Sequence, residues 1–260
     1  MRHVPRKRFG QHFLIDPTII HKIVALIRPV DSDCMVEIGP GLGALTQPLL
    51  EKLPTLQVIE IDRDIVSYLS KYYAEKLIIH AADVLKFDFA VLGNDLRIVG
   101  NLPYNISTPL LFHLAKFCHL ITDMYFMLQL EVVERMVAQP ATADYGRLSV
   151  MLQNRFIMEQ LLVIPAEAFD PPPRVQSAIV YMRPRAAPIV PPEQEQLFNE
   201  LVLAAFSQRR KMLRNTLRQY LTAADFDQLR IDPELRAENL SLEQYAVMTQ
   251  HIHTLNQLKG

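Results

Sequence analysis

Two cysteines, Cys34 and Cys118, are all that 260 residues contain. They sit in apolar surroundings without metal-ligand spacing, so neither a disulfide framework nor a metal site is expected. Reduced core thiols suit a cytoplasmic protein. An excess of either charge is lacking as well: 27 basic residues stand against 28 acidic ones, a formal net charge of -1. Overall charge therefore does not announce a polyanionic partner, and local clusters have to carry that reading. No apolar run reaches membrane-spanning length, and the charged N-terminus is not followed by the apolar stretch of a secretion signal. Internal repeats and low-complexity tracts are absent. What is there is hydrophobic material, half of all residues, enough for one large α/β domain with a small appendage.

The first eight residues carry Arg2, Arg6, Lys7 and Arg8 and no acid. Such a segment is either a solvated tail or a phosphate-binding arm. Phe9 to Leu14 sets aromatic and polar side chains beside it, which is odd for a mere tail. Asp16-Pro17 reads as a helix start, with Asp as N-cap and Pro in the first turn. Ile19, Ile20, Ile23, Val24 and Ile27 then keep helical spacing up to Pro29. Short apolar runs at Cys34–Ile38, Leu56–Glu60, Leu77–Ile79, Leu96–Gly100 and Met124–Leu130 read as strands, and helical patterns separate most of them. That alternation predicts a parallel sheet with right-handed crossovers. Leu161–Ile164 and Ser177–Met182 flank a loop that holds no helix, so they are expected to pair as an antiparallel hairpin at one edge. Residues 184–193 hold four prolines and read as a linker. Everything beyond is helical, including a capping box at Ser241-Leu242-Glu243-Gln244.

Three successive strand ends carry groups of one kind of use. Gly39, Gly41 and Gly43 allow a backbone to approach a ligand closely at a strand-to-helix turn. The dinucleotide fingerprint G-x-G-x-x-G is not met, because Ala44 and Leu45 follow Gly43. Glu60 closes the second strand, where a carboxylate can bind both hydroxyls of a ribose. Asp83, after the third, can accept from an adenine amine, with Ile61 and Val84 as apolar faces for the same ring. Taken singly, each acid reads first as an ordinary helix N-cap.

The fourth strand ends in Gly100-Asn101-Leu102-Pro103-Tyr104-Asn105-Ile106-Ser107. Pro103 keeps the residue before it extended, so Asn101 and Leu102 cannot start a helix, and a helical pattern begins at Thr108-Pro109. The Asn101 side-chain carbonyl and the Leu102 backbone carbonyl can each accept one hydrogen from an exocyclic amine, while Tyr104 can stack on the ring that bears it. Two acceptors draw the nitrogen lone pair out of conjugation and leave it more nucleophilic. The plain alternative is a turn that only starts the next helix. Together the four strand ends favour a nucleoside cofactor that donates a group to an amine.

Val36–Thr46 (VEIGPGLGALT), Glu60-Ile61-Asp62, Ala82-Asp83-Val84 and Asn101–Ser107 (NLPYNIS) resemble the ordered motifs of S-adenosylmethionine-dependent methyltransferases. With Lys7–Leu14 (KRFGQHFL), Tyr145–Val150 (YGRLSV), Phe169–Ala178 (FDPPPRVQSA) and Phe206–Leu217 (FSQRRKMLRNTL), the chain resembles the ribosomal RNA adenine dimethylases from end to end. The likeness is greatest to bacterial members that dimethylate two adjacent adenosines in the 3′-terminal hairpin of small-subunit (16S) rRNA. It implies a Rossmann-like class I domain over residues 16–183, with a basic arm at 1–15, the linker at 184–193 and an all-α RNA-binding domain at 194–260. It implies S-adenosyl-L-methionine as cofactor, held by His12, Leu14, Gly39, Gly41, Glu60, Ile61, Asp83, Val84 and Asn101. His12 stands where many relatives carry Asn; both side chains donate a hydrogen bond. Met212 replaces a more usual Thr.

The methyl of a sulfonium is already activated, so positioning supplies much of the catalysis. Asn101 and Leu102 are assigned to the amine and Tyr104 to the base. Phe169, ahead of Pro171-Pro172-Pro173, either clamps the other face of that base or anchors its hairpin in the core. For RNA, the segment Ser207–Arg218 has no acid. At about 100° per residue it sets Phe206, Leu213, Leu217 and Tyr220 on one stripe, with Arg210, Lys211, Arg214 and Arg218 on a flank beside it. Together with Arg209, Arg147, Arg174 and Arg6, Lys7 and Arg8, these residues are expected to meet phosphates. The expected partner is 16S rRNA in the small subunit or its precursor, with no metal, no membrane and a monomeric enzyme. The competing readings are a resistance-type 23S rRNA adenine methylase, an assembly factor that acts by binding, and an NAD-dependent dehydrogenase; the glycine spacing disfavours the last.

Overall fold

The computed structural model describes residues 12–73 and 75–259, so Arg6, Lys7 and Arg8 lie outside the described residues. The chain forms two compact units. One takes the described residues up to Val133 together with Met158–Pro184, and the other takes Glu134–Ile157 and Arg185 onward.

The first unit begins with β1 (Phe13–Leu14) and α1 (Pro17–Ile27). Asp16 accepts from the backbone N–H groups of Thr18 and Ile19, and Pro17 needs no such partner. Ile23 and Ile27 are the fully buried face of α1. There follow β2 (Cys34–Ile38), α2 (Thr46–Leu50), β3 (Leu56–Glu60), α3 (Arg63–Tyr73), β4 (Leu77–Ala81), β5 (Leu96–Asn101), α4 (Ser107–Leu114), β6 (Ile121–Gln129) and α5 (Leu130–Val137). The later strands are β7 (Phe156–Ile164), β8 (Phe169–Asp170) and β9 (Ser177–Pro184). Seven strands make one sheet in the order β4-β3-β2-β5-β6-β9-β7, and β1 and β8 pair separately. β4, β3, β2, β5 and β6 are mutually parallel, and β9 runs antiparallel to β6. Strands buried on both faces explain the continuous apolar runs at Val36, Val58, Ile98, Val99 and Phe126. From β2 the chain winds to β3 on one side and β5 lies on the other, which makes the carboxyl ends of β2 and β5 the switch point where open sheets bind ligands.

The expected edge hairpin is found as β9 beside β7, with β7 longer than its sequence pattern suggested. The loop between them is also more structured: Phe169–Asp170 leaves it as β8 to pair antiparallel with Phe13–Leu14. At the other end of the sheet, Arg97 on β5 donates to Asp33 (2.6 Å) and Asp123 (2.9 Å). These hydrogen-bonded charge pairs satisfy a largely buried guanidinium and hold its pKa above the usual value despite burial.

The second unit contains α6 (Arg147–Gln153), α7 (Glu195–Ala205), α8 (Leu213–Thr216), α9 (Ala223–Leu229) and α10 (Leu242–Lys259). The capping box at α10 is present: Ser241 N–H donates to the Gln244 side chain, and Gln244 N–H donates back to the Ser241 hydroxyl. Two expectations are corrected. The boundary at 183/184 overlooks the excursion Glu134–Ile157, whose Tyr145 and Val150 belong to the same apolar cluster as Phe198, Leu201, Tyr245 and Met248. The proline-rich stretch is not a loose linker either. Asn154 accepts from Val190 N–H through its side chain and from Ile189 N–H through its backbone, and Val190 is buried.

Candidate active site

The glycine turn after β2, the ends of β3 and β4, the loop after β5 and the segment 12–15 enclose one cavity of about 770 Å³. That volume suits a nucleoside-sized ligand. His12, Leu14, Gly39, Gly41, Glu60, Ile61, Asp83, Val84, Asn101, Leu102 and Tyr104 all line it. Every residue assigned from the sequence to the cofactor thus faces one space. Gly39, Gly41 and Gly43 have φ of 64°, 55° and 92°, left-handed geometry in which any other side chain is strained. A side chain on Gly41 would also meet the Phe13 ring, whose Cε1 lies 3.1 Å from the Cβ position. Phe13 therefore covers the turn.

The Glu60 carboxylate is buried, and its Oε1 accepts from the backbone N–H groups of Ile61 and Asp62, each at 2.8 Å. Burial raises its pKa, and those N–H groups oppose the rise. Asp83 Oδ1 accepts from Leu85 N–H at 3.0 Å and caps the short turn Val84–Lys86. The capping and ligand readings of these acids are compatible, because a carboxylate has about four lone-pair sites and can accept from backbone and ligand together. The residues present fit a cationic nucleoside: a glycine turn open to close approach, two strand-end acids, and apolar walls at Ile61 and Val84.

Asn101 is oriented by the chain's own backbone. Its Nδ2–H donates to the His12 carbonyl at 2.9 Å, so Oδ1 is the side-chain atom left to accept. The His12 ring is held through Nδ1 by the Pro171 carbonyl at 2.7 Å, which makes Nδ1 the protonated nitrogen. The same ring stacks on Tyr104 with centroids 5.7 Å apart and planes at 25°. The Tyr104 hydroxyl is hydrogen-bonded to the Ser177 hydroxyl at 2.9 Å. Leu102 is buried, and its N–H donates to the Met127 carbonyl at 3.2 Å.

Phe169 does not line the cavity. It is 2% exposed, paired through its backbone with Leu14 and packed in the core cluster that holds Leu14, Ala168 and Ile179. The anchoring alternative describes this placement, because the β1–β8 pairing turns the ring inward.

Some contributors carried no local signal. Ser177 meets Tyr104 across 73 residues of chain. Glu37, in contrast, was visible as an acid inside an apolar strand. It is 2% exposed and accepts from the Thr46 hydroxyl at 2.6 Å. Burial, seconded by repulsion from Glu60, raises its pKa to about 7, with the Thr46 bond opposing the rise.

The basic residues are exposed, but the expected basic helix is interrupted. Only Leu213–Thr216 is helical, because Met212 is extended (φ -69°, ψ 154°) and bridges Arg236. Acids reach the segment from elsewhere in the unit: Arg209 pairs with Glu238 at 3.3 Å and Arg214 with Glu234 at 3.0 Å. Among the described residues, Arg210, Lys211 and Arg218 have no such partner. Lys211 and Arg218 open onto a polar recess of about 460 Å³ shared with Ser207, Asn215 and Gln219. Arg147 donates to Asn199 at 3.0 Å, and Arg174 is exposed in the loop before β9. Among the described residues no helix is long and apolar enough to cross a membrane, and no cluster of three or more His, Cys, Asp or Glu could hold a metal ion.

Residues 2–254 match the family described as ribosomal RNA adenine dimethylase. Over 255 residues, 98% of this chain and 100% of the relative, the chain is 73% identical to the ribosomal RNA small subunit methyltransferase A of Nitrosomonas eutropha. It is 60% identical over 254 residues to the protein of that name in Nitrosospira multiformis, covering 97% of this chain and 98% of the other. A dimethyladenosine transferase from Plasmodium falciparum shares the fold with a TM-score of 0.77 at 24% identity, over 94% of this chain and 98% of that one. The 23S rRNA methyltransferase ErmE does so with a TM-score of 0.72 at 23% identity, over 93% and 99%.

Proposed function

The chain belongs to the ribosomal RNA adenine dimethylase family, and from that premise we propose its target: N6 of two adjacent adenosines in the 3′-terminal hairpin of 16S rRNA. It is an S-adenosyl-L-methionine-dependent rRNA methyltransferase. The substrate is the small ribosomal subunit or its precursor, met in the cytoplasm by a monomeric enzyme. The names of the relatives at 73% and 60% identity support the small subunit.

When bound, S-adenosyl-L-methionine supplies an activated methyl group on a sulfonium. Glu60 is assigned to the ribose hydroxyls and Asp83 to the adenine amine. Ile61 and Val84 would offer apolar faces to that adenine, the backbone at Gly39 and Gly41 would allow the cofactor's close approach, and His12 and Leu14 would help hold it from the N-terminal segment. The observation that carries the chemistry is the Asn101 amide held by the His12 carbonyl. With the NH2 group engaged, Asn101 offers Oδ1 to N6 of the target, and the Leu102 carbonyl is the second acceptor. Held by two acceptors, the amine keeps its lone pair for the methyl carbon, so the residues act by placement rather than as strong bases. Tyr104 stacks on the base, which must leave its own stack to enter. Arg147, Arg174, Arg210, Lys211 and Arg218 are assigned to phosphates, with Arg6, Lys7 and Arg8 added from the sequence. Arg209 and Arg214, already paired with acids, contribute less.

The test is transfer of labelled methyl from S-adenosyl-L-methionine to small subunits lacking the modification, with products mapped by nucleotide. Dimethyladenosine at two neighbouring positions near the 3′ end is expected. Transfer only to large-subunit RNA would favour the resistance-type reading, and binding without any transfer would favour the assembly factor. Asn101→Ala should abolish transfer while leaving rRNA binding nearly intact; unimpaired transfer sinks the site assignment.

A further inference from the structure

Tyr104 follows Pro103 in a tight turn closed by the Ile106 N–H on the Pro103 carbonyl at 3.1 Å. A ring on such a turn is a poor shelf for a base unless something fixes its plane. Three contacts do so. The Ser107 hydroxyl donates to the Tyr104 carbonyl at 3.1 Å and sets the backbone. The His12 imidazole covers one face of the ring. At the far end, the phenol oxygen is bonded to Ser177.

Ser177 is the partner that belongs to the sheet. It is the first residue of β9, fully buried, and in register with Gln129 of β6. Its hydroxyl therefore ties a loop residue to the sheet interior. Burial raises the Tyr104 pKa, and the Ser177 bond only partly opposes this. The phenol stays protonated at neutral pH and is engaged, which leaves the uncovered face as the part of Tyr104 that can act.

We propose that Ser177 is a positioning residue for methyl transfer, its hydroxyl fixing the plane of Tyr104 so that the aromatic face, and not the phenol oxygen, meets the target base. The proposal rests on the assignment of Tyr104 to base stacking. It also bears on the second methylation. A base that has gained one methyl must be held, or recaptured, on the same shelf, and a loosened ring lets it go.

The test is a double-mutant cycle on the full chain with Ser177→Ala, Tyr104→Phe and the double variant. Single-turnover transfer to unmodified small subunits is followed at saturating S-adenosyl-L-methionine, with cofactor affinity and melting temperature measured alongside. Each single variant is expected to slow transfer by about tenfold, the effect of one buried hydrogen bond. The double variant should be no slower than either single, with cofactor affinity unchanged and the ratio of monomethyl to dimethyl product raised in all three. Parent-like transfer by Ser177→Ala, or slowing by about a hundredfold in the double variant as two independent losses, overturns the proposal. Tyr104→Ala separates the levels. If it transfers normally, base stacking by Tyr104 is wrong; if it is crippled while Ser177→Ala is normal, only the role of Ser177 fails. Should Ser177→Ala fold poorly, Tyr104→Phe breaks the same bond from the loop side, and parent-like rate and product ratio in that variant refute the proposal.

Discussion

Glu37→Gln should make the protein more stable in mild alkali and leave it little changed in mild acid. The Glu37 carboxyl is enclosed in β2 beside the cavity, and burial lifts its pKa from 4.5 to about 7. Between those values the folded state binds a proton that the unfolded chain has released. Stability from this group is therefore complete below pH 4.5 and is lost as pH rises through 7. At about 1.4 kcal/mol per pH unit, the gap amounts to about 3 kcal/mol. Glutamine keeps the shape and can accept from the Thr46 hydroxyl, but it does not titrate. At pH 8 the variant should exceed the parent by up to about 3 kcal/mol, or a melting temperature about 5–10 °C higher for a chain of this size; near pH 5 the gap should fall to about 1 kcal/mol or less. The comparison cancels other titrating groups, including Glu60, to the extent that they are uncoupled from Glu37. Scanning calorimetry at pH 5, 6.5 and 8 reads it directly. Saturating S-adenosyl-L-methionine should narrow the difference at pH 8, because a cation in the cavity favours the ionised carboxylate. Parallel pH dependences for parent and variant would refute the reasoning, since they would mean that Glu37 is ionised in the fold throughout.

Gly100→Ala should cost about 3 kcal/mol or more, because a Cβ there would lie 2.6 Å from the Ile38 carbonyl oxygen, backbone that cannot yield cheaply; an unchanged melting temperature contradicts this. Lys211→Ala and Arg218→Ala should each lower the salt dependence of rRNA binding by about one phosphate contact. The double variant Arg214→Ala/Glu234→Ala, which removes a pair already satisfied within the protein, should leave that slope near the parent value. Equal losses in filter-binding titrations over salt concentration would show that the ion pairs opens to meet RNA. Phe169→Leu should keep methyl transfer near the parent rate, in line with a core anchor; a crippled rate at an intact melting temperature would return the ring to the base.

What the sequence made legible follows from where each signal is stored. The parallel sheet and the Asn101 loop are written locally: β-branched runs, a glycine turn, acids after two of the strands, and a proline that keeps Leu102 extended. Their convergence on one cavity follows from strand order, because β2 and β5 are neighbours with Gly39 and Asn101 at their carboxyl ends. The basic segment failed for the opposite reason. Angular spacing assumes an unbroken helix, and the 207–218 stretch is pinned at Met212 by a bridge to Arg236, a partner that no window of local sequence contains. Glu234 and Glu238 reach it from either side of Arg236, so a run that is single-signed in sequence is mixed in space. The excursion Glu134–Ile157 escaped notice in the same way, since its affiliation is decided by which apolar cluster Tyr145 and Val150 enter. Orientation is the deepest case. The sequence supplies Asn101 and Tyr104, but the atom each presents is chosen by the His12 carbonyl and the Ser177 hydroxyl, 89 and 73 residues away. Residue identity names the reaction class, and tertiary contacts decide which face of each residue can take part in it.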